Sequence, residues 1–376
     1  MKIIAWYLPQ FHSIPENDKW WGNGFTEWVN VKKAVPLEEG HNQPRVPLNN
    51  NYYNLLEDEV KMWQVNLAKK YGIYGFCMHH YWFDGKLLLE QPVEQYLANK
   101  ALDLPFCICW ANEHWTNQWA SSSEKVLIEQ RYGGKKEWKQ HFDYLFPFFN
   151  DSRYIKENGK PLFVIYRPEL IECLNDMLDY WLELANESGL PGITFAYQGF
   201  KWDYVKEKDD SRFTYNIEYQ PTLCWNEARQ KTLAVKIQDS LPAWFMKLFA
   251  KPLNYIKGII ANHETVNEHV QDYDELWEKV LSHQPVSDKC IPGVFVDWDN
   301  TPRKGEHGIY LKGATPAKFQ KYFERTLEKA KNVYKKDYMF VFSWNEWAEG
   351  GYLEPDEKNG YGYLEAIKCA LEKCGE

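Results

Sequence analysis

Met339-Phe340-Val341-Phe342-Ser343-Trp344-Asn345-Glu346-Trp347-Ala348-Glu349-Gly350-Gly351 reads as a strand that runs out of apolar residues and into chemistry. Its first part, Met339–Trp344, is largely apolar instead of alternating, as a strand covered on both faces of a parallel sheet must be. Seven further runs share that character: Lys2–Pro9, Gly72–His79, Pro105–Trp110, Pro161–Tyr166, Ile193–Tyr197, Tyr215–Tyr219 and Gly293–Asp297. Between them lie helical patterns over Asn54–Lys70, Val93–Lys100, Lys135–Phe149, Glu169–Ser188, Tyr273–Ser282 and Pro316–Lys335. Strand then helix, repeated about eight times, predicts an α/β fold, a (β/α)8 TIM barrel with extended βα loops. A doubly wound open sheet is the competing arrangement.

One domain over 1–376 accommodates this pattern, with two departures from the repeat. Residues 10–52 form a long aromatic and Pro/Asn-rich excursion after the first strand. Residues 222–272 form an expected helical insertion between strands 6 and 7. It contains Leu241–Ile260, which reads as a cap packed on the barrel, or alternatively as a helix lying on a membrane surface beside a lipid-linked substrate. No stretch is long and apolar enough to span a bilayer. The opening run Met1–Gln10 is broken by Pro9 and Gln10 and has no cleavage site, so it is not a secretion signal. Eight scattered cysteines, several in strand-like runs, read as reduced thiols of a cytoplasmic protein. A net charge of −9 with no basic block argues against nucleic acid.

In a barrel of this kind the site is built at the C-terminal ends of the strands. Those ends are polar and aromatic nearly everywhere. They run Tyr7-Leu8-Pro9-Gln10-Phe11-His12, His79-His80-Tyr81-Trp82, Trp110-Ala111-Asn112-Glu113-His114-Trp115, Tyr166-Arg167, Tyr197-Gln198, Tyr219-Gln220, Trp298-Asp299-Asn300 and Trp344-Asn345-Glu346. Aromatic residues make up 17% of the chain, with 18 Trp and 25 Tyr. Rings with an apolar face and a polar edge suit sugars, although an aromatic-rich core would have the same composition. Strand ends so built describe one large sugar-lined cup.

Cleaving a glycosidic bond takes an acid and a second carboxylate. Glu346 and Glu349 are the leading pair, but residues three apart on an extended strand face opposite ways. They share a site only if the chain turns after Glu346, which Gly350-Gly351 permits. Flanking Trp344 and Trp347 would exclude water and keep one glutamate protonated. Glu113, after Asn112, is the rival partner for Glu346, with substrate binding as its other reading. Asp297-Trp298-Asp299 looks like the Asp-x-Asp metal motif of nucleotide-sugar transferases, a tripeptide common by chance. His12, His79, His80 and His114 lack the spacing of metal ligands. No phosphate-cradling glycine loop and no Gly-x-Ser-x-Gly elbow occurs. No metal and no cofactor is expected.

The motifs carry a resemblance. Ile4–His12, Ile14–Asp18, Trp20-Trp21-Gly22 and Phe25-Thr26-Glu27-Trp28 resemble the opening of WbsX-type polysaccharide-biosynthesis proteins. Gly75-Phe76, His80–Phe83, Cys109–Glu113, Trp298–Arg303 and Ser343–Gly350 complete the pattern. These proteins look like relatives of glycoside hydrolase family 99, the endo-α-1,2-mannosidases and mannanases. The resemblance implies a retaining enzyme without metal, in which Glu346 acts as base on the sugar's own 2-hydroxyl and Glu349 as general acid/base. It also places Tyr7 beside the reacting sugar. The substrate so implied is an α-linked, mannose-like oligo- or polysaccharide, free or lipid-linked. WbsX-type proteins are often named glycosyltransferases, which leaves lipopolysaccharide, O-antigen or capsule synthesis as the alternative activity. A glycan-binding barrel without catalysis would have no need for the paired glutamates. Strand ends and motifs together make Tyr7, Gln10, His12, Trp21, Glu27, Trp28, His80, Tyr81, Trp82, Trp110, Asn112, Glu113, Trp115, Tyr166, Arg167, Tyr197, Gln198, Tyr219, Trp298, Asp299, Asn300 and Trp344 the candidate substrate contacts.

Overall fold

A computed structural model describes residues 1–116, 125–199, 209–230 and 269–375. Nine parallel strand segments form a nearly closed barrel with helices between them. They are β1 Lys2–Tyr7, β2 Gly75–Phe83, β3 Phe106–Trp110, β4 Lys160–Ile165, β5 Thr194–Gly199, β6 Phe213–Glu218, β7 Cys290–Ile291, β8 Gly293–Phe295 and β9 Tyr338–Phe342. β7 and β8 are one stave interrupted at Pro292, whose missing N–H cannot continue a ladder. The first half pairs with β6 and the second with β9, and β9 pairs with β1, which carries the sheet round. Glycine is required at that joint, because a Cβ on Gly293 would sit 1.7 Å from the Glu218 carbonyl oxygen.

The outer helices follow from their apolar spacing. In Lys135–Asn150 the buried residues Trp138, His141, Phe142, Leu145, Phe148 and Phe149 fall three and four apart, a single stripe. That stripe covers β2 to β4, with the His141 ring 4.6 Å from Trp82 and 4.7 Å from Trp110. Helix Tyr273–Ser282 starts where the Asp272 carboxylate accepts the Glu275 N–H at 2.9 Å. Its Trp277 stacks on Phe295 of β8 at 4.5 Å. No helix among the described residues is long and apolar enough to cross a membrane.

The 10–52 excursion is tied down across the ends of β8 and β9. Arg45 reaches Asp297 at 2.8 Å, while His41 and Gln43 reach Asp299 at 2.9 and 2.7 Å. Most of the expected 222–272 insertion, Leu241–Ile260 included, lies outside the described residues. Its ends are helix Thr222–Gln230 and strand Val270–Asp272, the latter paired with Tyr310–Lys312. Five of the eight cysteines are buried.

Candidate active site

Immediately past β9 the chain doubles back. Ser343 gives both its N–H and its hydroxyl to the Gly351 carbonyl, at 2.9 and 2.6 Å, and its oxygen accepts the Glu346 N–H at 2.8 Å. Asn345–Glu346 then pairs antiparallel with Gly351–Tyr352, with one tight helical turn, Trp347–Glu349, at the tip. Gly350 ends that turn at φ +68, where a side chain would be strained, and a Cβ there would lie 2.9 Å from Asp299. This hairpin supplies the turn that the spacing of Glu346 and Glu349 demanded.

Both carboxylates meet one guanidinium. Arg303, on the short helix Thr301–Lys304, donates from its two terminal nitrogens to Glu349 at 2.8 Å and to Glu346 at 3.0 Å. Its Nε and a terminal nitrogen also hold Glu27, at 2.9 and 2.7 Å. Gln10 approaches both Glu346 oxygens, at 3.3 and 3.5 Å. One positive charge therefore faces three carboxylates in a buried site. Burial is the largest influence on Glu346; with the negative charges of Glu349 and Glu27 it outweighs Arg303 and pushes the carboxyl up to about 8. Glu349 is raised as well, again chiefly by burial. Below about pH 8 the site keeps a proton on the pair.

A second buried acid supports the hairpin. Glu354 accepts from Trp347 Nε1 at 2.7 Å, Tyr53 at 2.8 Å and Gln64 at 2.7 Å. Burial moves it up to about 7 against the pull of those donors. Trp28 packs on Trp347 at 5.4 Å, so the excursion is seated on the same turn.

A family model described as Glycosyltransferase WbsX matches residues 3–367. The chain belongs to the WbsX family. Two relatives, each named "Uncharacterized protein WxcX" and from two strains of Xanthomonas campestris pv. campestris, are 34% identical over 384 residues. That match covers 99% of this WbsX chain and 50% of theirs, so the chain spans about half the length of the curated relatives it matches. Among solved structures, a GH99 endo-α-mannosidase from Bacteroides thetaiotaomicron in complex with bis-tris-propane is similar at a TM-score of 0.55 and 13% identity, covering 99% of this chain and 96% of that one. A glycoside hydrolase-like protein aligns at a TM-score of 0.56 and 11% identity, over 98% and 93%. At such identities the likeness is one of fold: this WbsX chain has a glycoside hydrolase-like barrel.

Strand alternation sorts the candidate contacts of the WbsX cup into two sets. Trp6, which the strand-end reading passed over, points into the barrel, its ring within 6 Å of His79, Tyr219 and Phe340. Tyr7 therefore faces outward, and its hydroxyl donates to Gln64 on helix Asp58–Lys70 at 2.8 Å. This corrects the expectation that Tyr7 borders the reacting sugar. His80, Trp82 and Trp110 likewise turn to the outer layer: His80 meets His141 at 2.9 Å, and Trp110 donates to the Trp82 carbonyl at 3.2 Å. Tyr197 packs on Phe213, Trp344 is wholly buried against Phe76, and Trp28 is buried with its indole N–H on the Tyr53 carbonyl.

Facing inward or lining the rim are Tyr81, Tyr166, Gln198, Tyr219 and Trp298. Tyr81 and Tyr219 both feel the Glu346 charge, and Tyr166 and Tyr219 that of Glu349. Gln198 Nε2 and Trp298 Nε1 are buried donors with no partner among the described residues. His12 is buried and pushed down to about 4 by burial, hence neutral. Trp115 stands edge-on to Tyr81 at 5.3 Å and to half-buried Trp20 at 5.9 Å, and Trp21 borders Phe25 at 6.1 Å.

The asparagines are braces. Asn345 holds the Leu8 N–H and carbonyl at 2.9 and 3.0 Å, and Asn112 does the same to Arg167, both at 2.7 Å. Asn300 accepts the Ile309 N–H at 2.8 Å. Glu113 pairs with Arg167, which also holds Glu169, and so sits on a different cation from Glu346. Asp299 is committed to His41, Gln43 and Thr301. Arg303 carried no role in the sequence reading. A cup with this many carboxylates needs a counter-ion, and that need was the available signal.

Proposed function

We propose that the chain is a retaining carbohydrate-active enzyme. It cleaves or transglycosylates an α-linked, mannose-like glycoside of a bacterial-type surface polysaccharide. Membership of the WbsX family and the glycoside hydrolase-like barrel support a carbohydrate-active enzyme. The observation that carries the reaction type is the sharing of Arg303 by Glu346 and Glu349. Two buried carboxyl groups, both raised by burial, are thereby held on one cation, an arrangement suited to an acid and a base acting in one site.

In the proposed reaction Glu346 takes the proton of the sugar's 2-hydroxyl as that oxygen attacks C1. Glu349 gives its proton to the departing oxygen. The resulting 1,2-anhydro sugar opens when Glu349 deprotonates water or an acceptor hydroxyl, which adds to C1, and Glu346 returns the proton to O2. Two attacks on C1 retain its configuration. Glu346 suits the base role because two donors, Arg303 and Gln10, stabilise its carboxylate. Since Glu346 holds a proton up to about pH 8, that proton must leave before this step.

Transfer from a sugar nucleotide is the second reading, favoured by the family's name. A diphosphate needs cations or a metal. Arg303 and Arg167 are already engaged by carboxylates, and Asp297 by Arg45. Among the described residues no cluster suited to a metal ion occurs. The engagement of these arginines by carboxylates weighs toward a glycoside substrate.

A panel of bacterial surface glycans, with NMR of the products, reports cleavage and anomeric outcome together. Glu346→Gln and Glu349→Gln should each lower the rate by about 10²-fold or more. Survival of activity within about tenfold in either variant would refute the assignment. Metal-dependent binding of a sugar nucleotide, lost on changing Asp297 or Asp299, would favour transfer instead.

A further inference from the structure

We infer that Glu27 is a positioning residue: the excursion inserts it as a third carboxylate that orients Arg303 and sets the charge under which Glu346 and Glu349 gain and lose their protons. The inference rests on the acid/base reading of that pair and extends it to a segment a barrel does not itself require.

Geometry carries the argument. Glu27 Oε2 takes the side of the guanidinium, from Nε at 2.9 Å and a terminal nitrogen at 2.7 Å. A planar fork held along that edge has its outer nitrogens directed elsewhere, here to Glu349 and Glu346. Glu27 is itself fixed, since its other oxygen accepts from Asn30 Nδ2 at 3.1 Å. Helix Glu27–Lys33 packs against both the Thr301–Lys304 helix and the Trp347–Glu349 turn. Side-chain exposure is 13% for Glu27 and 8% for Arg303, so water does not screen them fully.

Charge balance gives the arrangement its consequence. With two carboxylates, one guanidinium would leave a net single negative charge; Glu27 adds another. Its charge is among the influences that raise both members of the pair. The other titratable groups facing them are Arg303, Lys304, Tyr81, Tyr166 and Tyr219. The tyrosines stay neutral across the working range, as burial raises each of them. Glu27 is thus the remaining carboxylate on Arg303 that can bias the pair.

The test is a titration of side-chain carboxyl carbons by NMR in the intact protein labelled with 13C-glutamate. The Glu346 signal is identified by its loss in Glu346→Gln. Glu27→Gln should lower its midpoint by about one pH unit or more, as expected for removal of a nearby like charge. Glu27→Asp, which keeps the charge, should retain most of the wild-type midpoint and serves as the variant of record if Glu27→Gln does not fold. An unmoved midpoint in a folded Glu27→Gln, or a Glu27→Asp midpoint displaced downward by as much as expected for Gln, overturns the inference. If the midpoint moves while Glu346→Gln retains full activity, the proposed reaction fails and the role of Glu27 on Arg303 stands.

Discussion

Replacing Glu346 by Gln should stabilise the protein, and increasingly so as pH rises. Unfolded, the Glu346 carboxyl titrates near its ordinary value of 4.5; folded, it is pushed up to about 8. A group raised by folding contributes its full stability below the unfolded value and loses it as pH climbs through the folded one. Between those limits the native state must hold a proton that the unfolded chain gives up. At about 1.4 kcal/mol per pH unit, the loss grows to the order of a few kcal/mol by pH 8, set by the coupled pair as a whole. Glutamine keeps the shape and an oxygen for Arg303 but has no charge to bury, so the variant escapes this loss. Paired thermal melts should therefore nearly coincide at pH 5 and separate by roughly 5–10 °C at pH 8, with Glu346→Gln the higher. A separation that does not grow with pH, or a variant that melts below wild type at pH 8, would refute the claim that this carboxyl is held in the fold against its charge.

Other outcomes follow from the same geometry. Arg303→Met should be the most damaging single change in the cup, because it leaves the buried acids Glu27, Glu346 and Glu349 without their cation. A loss of about 3–5 kcal/mol is expected in urea denaturation at pH 7 and less at pH 5, where protonation relieves the repulsion. Arg45→Met removes the partner of Asp297 and should cost about 3–5 kcal/mol by the same measure. Gly350→Ala forces a methyl against Asp299 at a positive φ; destabilisation of about 1 kcal/mol or more and a fall in activity are expected, read by melting and by product NMR. Trp298→Phe keeps an aromatic ring but deletes the buried unpartnered N–H and part of the indole; some stability is lost and glycan affinity in calorimetry should fall.

The barrel was legible because a parallel sheet buried on both faces leaves continuous apolar runs, and all eight expected runs contain strand. Helix ends were less legible. The segment expected as one helix over Glu169–Ser188 is a short turn at Pro168–Leu170 followed by Leu174–Glu187, since Pro168 opens the first piece and its loop must descend from the cup. Pro316–Lys335 is helical to Lys329 and then widens, closing at Lys335 with φ +55. In the site, the strand-end reading took whole polar runs together. Alternation then divided them, sending Tyr7, His80, Trp82, Trp110 and Tyr197 outward beside inward neighbours such as Trp6 and Tyr81. A period of two was available in the sequence. Which phase faced the barrel axis was not, because apolar and aromatic residues occupy both faces.

Arg303 was illegible for a different reason. Its meaning depends on Glu27, 276 residues earlier, and on the Glu346 turn, so no local pattern contains it. The same long reach explains why the excursion is fastened so firmly. The Asp299 N–H donates to the Glu349 carbonyl at 2.7 Å, and Arg45 donates to the Gly350 carbonyl at 3.3 Å. The groups that anchor residues 41–45 therefore also set the backbone of the acid. A site that crowds three carboxylates around one cation pushes its own segments apart. Buried ion pairs placed on the same backbone offset that repulsion, so loosening the excursion should release the acid pair before it opens the barrel.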